Sequence, residues 1–243
     1  ALALATGAGA TVAIQRVTAP DPRPATVAVR PCAVVDPLSG TTSPPRGSPP
    51  SVRLPEQVRL PPGAAVFQYR PGLRVIGRAG DPCTAGGGQA VNSITVRRGS
   101  AWTGVFTPVT LGDAATSTCL YFPTSPQADR LRAQGRDCVS DAVGLRDLPT
   151  GVPGLRAALS APVGSDLVGR PPSPYADAAL SVLHPGDGGA ATVYCTLPWS
   201  QADTCTAALT YFYVEAAAEA GAGKAALDEA ARLIADHVAA SRR

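Results

Sequence analysis

The chain has 243 residues, a formal net charge of +3, 25 glycines, 25 prolines and only 5% aromatic residues. That length carries one large domain or two small ones without needing disulfides merely to hold a core, and the composition calls for many turns and few large core side chains. The charge runs from +6 over residues 1–80 through +1 over 81–170 to −4 over 171–243, with arginines scattered singly among prolines, which excludes the dense basic, aromatic-interleaved face of a nucleic-acid binder.

Residues 1–14 carry no charge, yet a bilayer span needs roughly 20 apolar residues. Residues 1–17 read either as the outer end of an anchor or signal region or as an N-terminal strand or helix of the domain. Arg16, Arg23 and Arg30 weigh against the anchor, because positive charge beside a span favours the cytoplasmic side. Residues 18–63 form a proline-rich stalk or strap; 13 of the 25 prolines fall between 20 and 71, favouring extended conformations with few backbone donors. Within it residues 25–30 alternate like a strand, and 37–51 read as a loop.

An extracytoplasmic α+β domain is expected over 64–243, with a sub-boundary near 140–174. Short strand-like runs at 64–69, 73–78, 92–97, 102–109 and 117–122, separated by Gly, Pro and Asp turns, predict an antiparallel sheet. Ser125, Pro126 and Asp129 supply a helix start for 126–134, ending near Gly135. A short helix is expected near 154–160. Strands at 179–184, 191–198 and 205–216 predict a three-stranded meander; a helical hairpin is the alternative for 204–220, but Thr210, Tyr211, Phe212, Tyr213 and Val214 favour a strand. A C-terminal amphipathic helix over 224–241 places Leu227, Ala231, Ile234 and Val238 on one stripe, with an Asp228–Arg232 pair on the polar side. The fold class is thus a strand-rich antiparallel α+β domain with a C-terminal helix and a proline-rich N-terminal strap.

Six cysteines at wide spacings, the smallest 10 residues, suit disulfides better than metal ligands and point to an oxidising compartment. Cys195 and Cys205 lie symmetrically about Ser200, so a hairpin there would oppose them; local pairing adds Cys119 with Cys138 and Cys32 with Cys83, among the 15 connectivities that six cysteines allow.

No G-x-S-x-G, H-E-x-x-H or S-x-x-K motif is present. Gly221-Ala222-Gly223-Lys224 lacks the hydroxyl residue and first glycine of a phosphate loop and reads as a helix-start turn. His184, His237, Asp137 and Asp141 read as structural or solvated groups, and Trp102 and Trp199 as covers of sheet ends. No catalytic residue, cofactor or metal site is expected. On a 205–216 strand, Tyr211, Tyr213 and Glu215 share one face and form the candidate ligand-binding residues.

The run Arg30-Pro31-Cys32-Ala33-Val34-Val35-Asp36-Pro37 resembles openings in disulfide-stapled lipoproteins and sensor modules exported by high-GC Gram-positive bacteria; the resemblance covers eight residues. The expected function is a non-enzymatic, extracytoplasmic, membrane-tethered accessory or ligand-binding component of the cell envelope or of a membrane complex. Its expected partners are other envelope or membrane proteins, and the membrane itself through the N-terminal anchor. The alternatives are a secreted hydrolase using carboxylate or serine chemistry and a secreted protease inhibitor presenting residues 196–204.

Overall fold

A computed structural model describes residues 25–36, 38–44, 51–70, 72–88, 91–98, 104–107, 111–140, 142, 144–161, 174–186 and 190–242. The readings that rest on residues 1–17, on Trp102 and on Asp141 lie outside them. In chain order the strands are β1 (Thr26–Pro31), β2 (Ala33–Val35), β3 (Thr42–Ser43), β4 (Ser51–Arg53), β5 (Ala64–Arg70), β6 (Leu73–Arg78), β7 (Cys83–Gly88), β8 (Val91–Arg97) and β9 (Gly104–Thr107). Helices α1 (Leu111–Tyr121) and α2 (Pro126–Ala133) follow, then β10 (Arg146–Leu148), β11 (Arg156–Ser160), β12 (Tyr175–Leu183) and β13 (Ala190–Pro198), and finally helices α3 (Ala202–Glu219) and α4 (Lys224–Ala240).

The class is α+β. Among the described residues one sheet runs β4-β1-β5-β6 and the other β10-β11-β12-β13-β9-β8-β7-β2-β3. Pairing is mostly antiparallel, but β1 joins β5 and β2 joins β7 in parallel. The proline-rich segment therefore supplies edge and parallel strands. Leu54 and Val58 from this segment are buried in the core.

Helices cover both faces of the long sheet. Ala176, Ala178, Leu180 and Val182, alternate residues of β12, belong to the core shared with Leu209, Val214, Ile234 and Val238 of α3 and α4. On the other face Leu183, Ala158 and Ala190 pack with Tyr121 and Phe122 at the end of α1. This second face is partly polar, and several of its polar groups pair: Ser181 and Thr192 hydroxyls lie 2.9 Å apart, Thr196 donates to Asp177 at 2.7 Å, and the Tyr121 and Tyr194 hydroxyls lie 3.0 Å apart. Such pairing offsets the desolvation that would otherwise penalise these buried groups. The shorter sheet approaches the long one through Gly77, where a Cβ would stand 2.7 Å from a Val96 methyl.

Four readings change. Residues 205–216 are not a strand but the middle of α3, so the meander is a β12–β13 hairpin followed by a helical hairpin. Thr204, Cys205, Ala207 to Tyr211, Tyr213, Val214 and Ala217 are all buried, a pattern with no alternation. A helix wrapped by β6, β12, β13 and α4 is apolar nearly all round, and that burial overrides the strand preference of its Thr, Tyr, Phe and Val side chains. Residues 117–121 of the expected 117–122 strand are likewise helical, because Thr118, Cys119 and Tyr121, with Phe122 just beyond the helix end, rest together against the sheet.

The short helix expected near 154–160 is instead β11, whose Ala157 to Ser160 are buried between the two helical layers as a central strand. The Asp228–Arg232 pair also gives way. Asp228 accepts from Lys224 at 2.9 Å, and Arg232 bonds Glu229 at 2.7 Å and Asp236 at 2.8 Å. Five strands are absent from the sequence expectations, β2, β3, β4, β7 and β10; glycine-rich β7 has little intrinsic preference and is held by its register with β8. The helix over 126–133 forms as expected, with Ser125 accepting from the Ala128 amide at 3.1 Å and Gly135 at φ +77° beyond its end.

Candidate functional site

The three disulfides join Cys32 to Cys83, Cys119 to Cys138 and Cys195 to Cys205, leaving no free cysteine. They place the chain in an oxidising, extracytoplasmic compartment. Cys195 and Cys205 do not oppose each other across the strand hairpin expected from their spacing: β13 runs into a tight turn at Trp199–Gln201, and the bridge clamps the strand to the first turn of α3. Both sulfur-bearing residues are fully buried. Residues 196–204 do not project as a free loop. The Trp199 amide donates to the Pro174 carbonyl at 3.0 Å, and the Arg242 guanidinium stands 5.2 Å over its ring.

A cleft of about 770 Å³ opens where the C-terminal half of α3 meets the β5–β6 hairpin, the Pro55–Gln57 loop and the start of α4. Gly72, at φ +81°, lets the chain reverse between β5 and β6 and brings Leu73 and Arg74 to its wall. Phe212, Ala216 and Leu227 make much of the remaining surface apolar. The loop that forms the outer rim is fixed to α4: Gln57 donates to Asp228 at 2.7 Å, and Glu56 pairs with Lys224 at 3.0 Å. These contacts hold the Asp228 and Glu229 carboxyls below, and the Lys224 ammonium above, their ordinary ranges; Gln57 and Lys224 act on Asp228, Arg232 on Glu229, and Asp228 and Glu56 on Lys224.

The helix divides the three candidate ligand-binding residues. Tyr211 and Glu215, four apart, both line the cleft, whereas Tyr213 points to the other side of α3 and donates to the Pro149 carbonyl at 2.8 Å. Arg74 stands opposite, bonded to Gln68 at 2.7 Å and 3.5 Å from the Glu215 carboxylate. The Tyr211 hydroxyl feels both charges but reaches neither at hydrogen-bonding geometry, and it is buried without a partner. Burial first, and then the negative Glu215, push its pKa up to about 12, while Arg74 pulls the other way. Burial alone pushes Tyr213 up to about 12.

The cleft also holds residues that the sequence did not single out. Arg74, Glu219 and His184 line it, and only the spacing of Glu219, one further turn from Glu215, could have signalled its place once the helix was known. Among the described residues no serine, threonine or cysteine lines the cleft. Among the described residues no three His, Cys, Asp or Glu side chains converge in a group able to hold a metal ion. His237 lies elsewhere, on α4, with Nε2 3.1 Å from the Ser160 carbonyl. A second hollow, about 300 Å³, surrounds buried Asp81, gripped by both ends of the Arg78 guanidinium and approached by Arg98 at 3.6 Å.

Comparison of the chain with protein-family models, with curated proteins and with solved structures finds no match.

Proposed function

We propose that this chain is a non-enzymatic binding domain of the cell envelope, tethered to the outer face of the cytoplasmic membrane and working beside other envelope or membrane proteins, with the cleft beside α3 as its ligand site. The observation that carries the reading is the cleft itself. It is mostly apolar, it falls in the size range of small-molecule sites, and a few polar groups converge at one place, Arg74, Tyr211 and Glu215. Fixed disulfides and a rim bonded to α4 favour a preformed site, which lowers the ordering cost of binding.

The lining suits binding better than catalysis. Among the described residues no serine or cysteine lines the cleft to act as a hydrolytic nucleophile, and paired-carboxylate chemistry needs two acids flanking the scissile bond. Glu215 and Glu219 instead project from the same face of one helix, and Glu56 is engaged by Lys224. Among the described residues no helix is long and apolar enough to cross a membrane; the proposed tether rests only on the reading of charge-free residues 1–14 as the outer end of an anchor.

A neutral fluorescent probe, N-phenyl-1-naphthylamine, tests the site. The wild-type protein is expected to bind it saturably and to release it to 1-octanol, and Ala218→Trp, which fills the cleft from an exposed helix position, is expected to abolish binding with the far-UV spectrum unchanged. Binding that persists in Ala218→Trp contradicts the reading. Crosslinking of the native membrane fraction tests the tether and partners: a stoichiometric complex supports them, and recovery only as a free monomer in the medium contradicts them.

A further inference from the structure

We infer that the ligand of this cleft is an amphiphilic amine, an apolar body carrying one protonated nitrogen; the inference rests on the binding role just proposed and adds its chemistry. The first ground is the charge left over. The lining carries Glu56, Glu215 and Glu219 against Arg74 and Lys224. Lys224 is held between Glu56 at 3.0 Å and Asp228 at 2.9 Å, and Arg74 between Gln68 at 2.7 Å and Glu215 at 3.5 Å. Glu219 has no ion pair or hydrogen bond among the described residues, so the cleft retains one uncompensated negative charge next to apolar walls.

The second ground is independent of that charge. Tyr211 is 1% exposed, lines the cleft one turn before Glu215, and carries a hydroxyl with no hydrogen-bond partner. A buried hydroxyl left unpaired is unfavourable, and a ligand N–H that donates to it relieves that penalty. Tyr211, Glu215 and Glu219 occupy successive turns of α3, about 6 Å apart along its axis, so an ammonium that donates to Tyr211 lies beside Glu215 with the surplus charge of Glu219 one turn further along the same face. The half-buried ring of Phe212 beside them adds an aromatic surface. A ligand carboxylate, by contrast, would face the surplus acid and would have to displace Glu215 from Arg74. A neutral apolar molecule would leave both Glu219 and the Tyr211 hydroxyl unanswered.

Titration calorimetry at neutral pH with octylamine, 1-octanol and octanoate tests this on the intact protein. Octylamine is expected to bind about tenfold more tightly than 1-octanol, as a charge-assisted hydrogen bond allows, with octanoate weakest. Glu219→Gln is expected to bring octylamine down toward 1-octanol. Equal affinity for octylamine and 1-octanol overturns the amine assignment while the apolar site stands, and tightest binding of octanoate overturns it in favour of Arg74. If none of the three binds better to wild type than to Ala218→Trp, the binding role of the cleft fails with it.

Discussion

Tyr211 and Tyr213 stand two residues apart in α3 and end in opposite environments: the Tyr213 hydroxyl donates to the Pro149 carbonyl at 2.8 Å, and the Tyr211 hydroxyl, on the cleft side, has no partner. Their removal should therefore act with opposite sign. Tyr213→Phe leaves a carbonyl unpaired and is expected to destabilise the protein by about 1–2 kcal/mol. Tyr211→Phe deletes only an unsatisfied hydroxyl and is expected to be neutral or stabilising by up to about 1 kcal/mol. Urea midpoints at constant slope measure both, and equal losses would contradict the assignment of the two environments.

Burial grades the disulfides. Cys195 and Cys205 are each 0% exposed, whereas Cys138 is only half-buried near the protein surface. Stepwise reduction followed by alkylation and mass mapping should open Cys119–Cys138 first and Cys195–Cys205 last, because exchange requires access to the sulfur. Denatured but unreduced protein should titrate no thiol.

The contact between the two sheets depends on the missing side chain of Gly77. A Cβ there would come within 2.7 Å of Val96, a buried β8 residue in the sheet opposite. Gly77→Val is expected to cost about 1–3 kcal/mol through overpacking. The same measurement on Gly63→Ala reports a different effect, since Gly63 has open space around it and loses only its positive φ.

His237 should make the fold acid-sensitive. Burial, and the nearby positive Arg146, hold its pKa below the ordinary value of 6.5, with the Ser160 carbonyl opposing the shift. A depressed pKa means that the unfolded chain takes up the proton first. The contribution is complete above the unfolded value and is lost as pH falls from about 6.5 through the folded pKa. His237→Gln should flatten this part of the stability profile between pH 7 and pH 5, and an unchanged slope would contradict the buried, neutral imidazole.

The elements that could be read from the sequence carried a local signal. In α4 the apolar spacing coincides with one buried face, β5 and β6 are short apolar runs buried over consecutive residues and bounded by Pro and Gly turns, and Ser125, Pro126 and Gly135 mark the ends of α2 chemically. In α3 burial extends around the helix, so the side chains of residues 210–214 carried only their strand preference, and the sign of the reading was reversed. That reversal divided the candidate site. Tyr211 and Glu215 share a face in a helix as they would in a strand, because four residues satisfy both periods, while Tyr213 shares it only in a strand. Arg74 comes to the site through strand pairing and a hairpin turn more than a hundred residues away in sequence, a juxtaposition that no local pattern encodes.

The most direct measurement of the cleft's role is an amide chemical-shift map recorded while octylamine is titrated into the isotopically labelled protein. Shifts confined to residues 72–74, 211–219 and 224–227, saturating together and absent in Ala218→Trp, are the predicted result. Shifts centred instead on the hollow around Asp81, or scattered shifts that do not saturate, would contradict it.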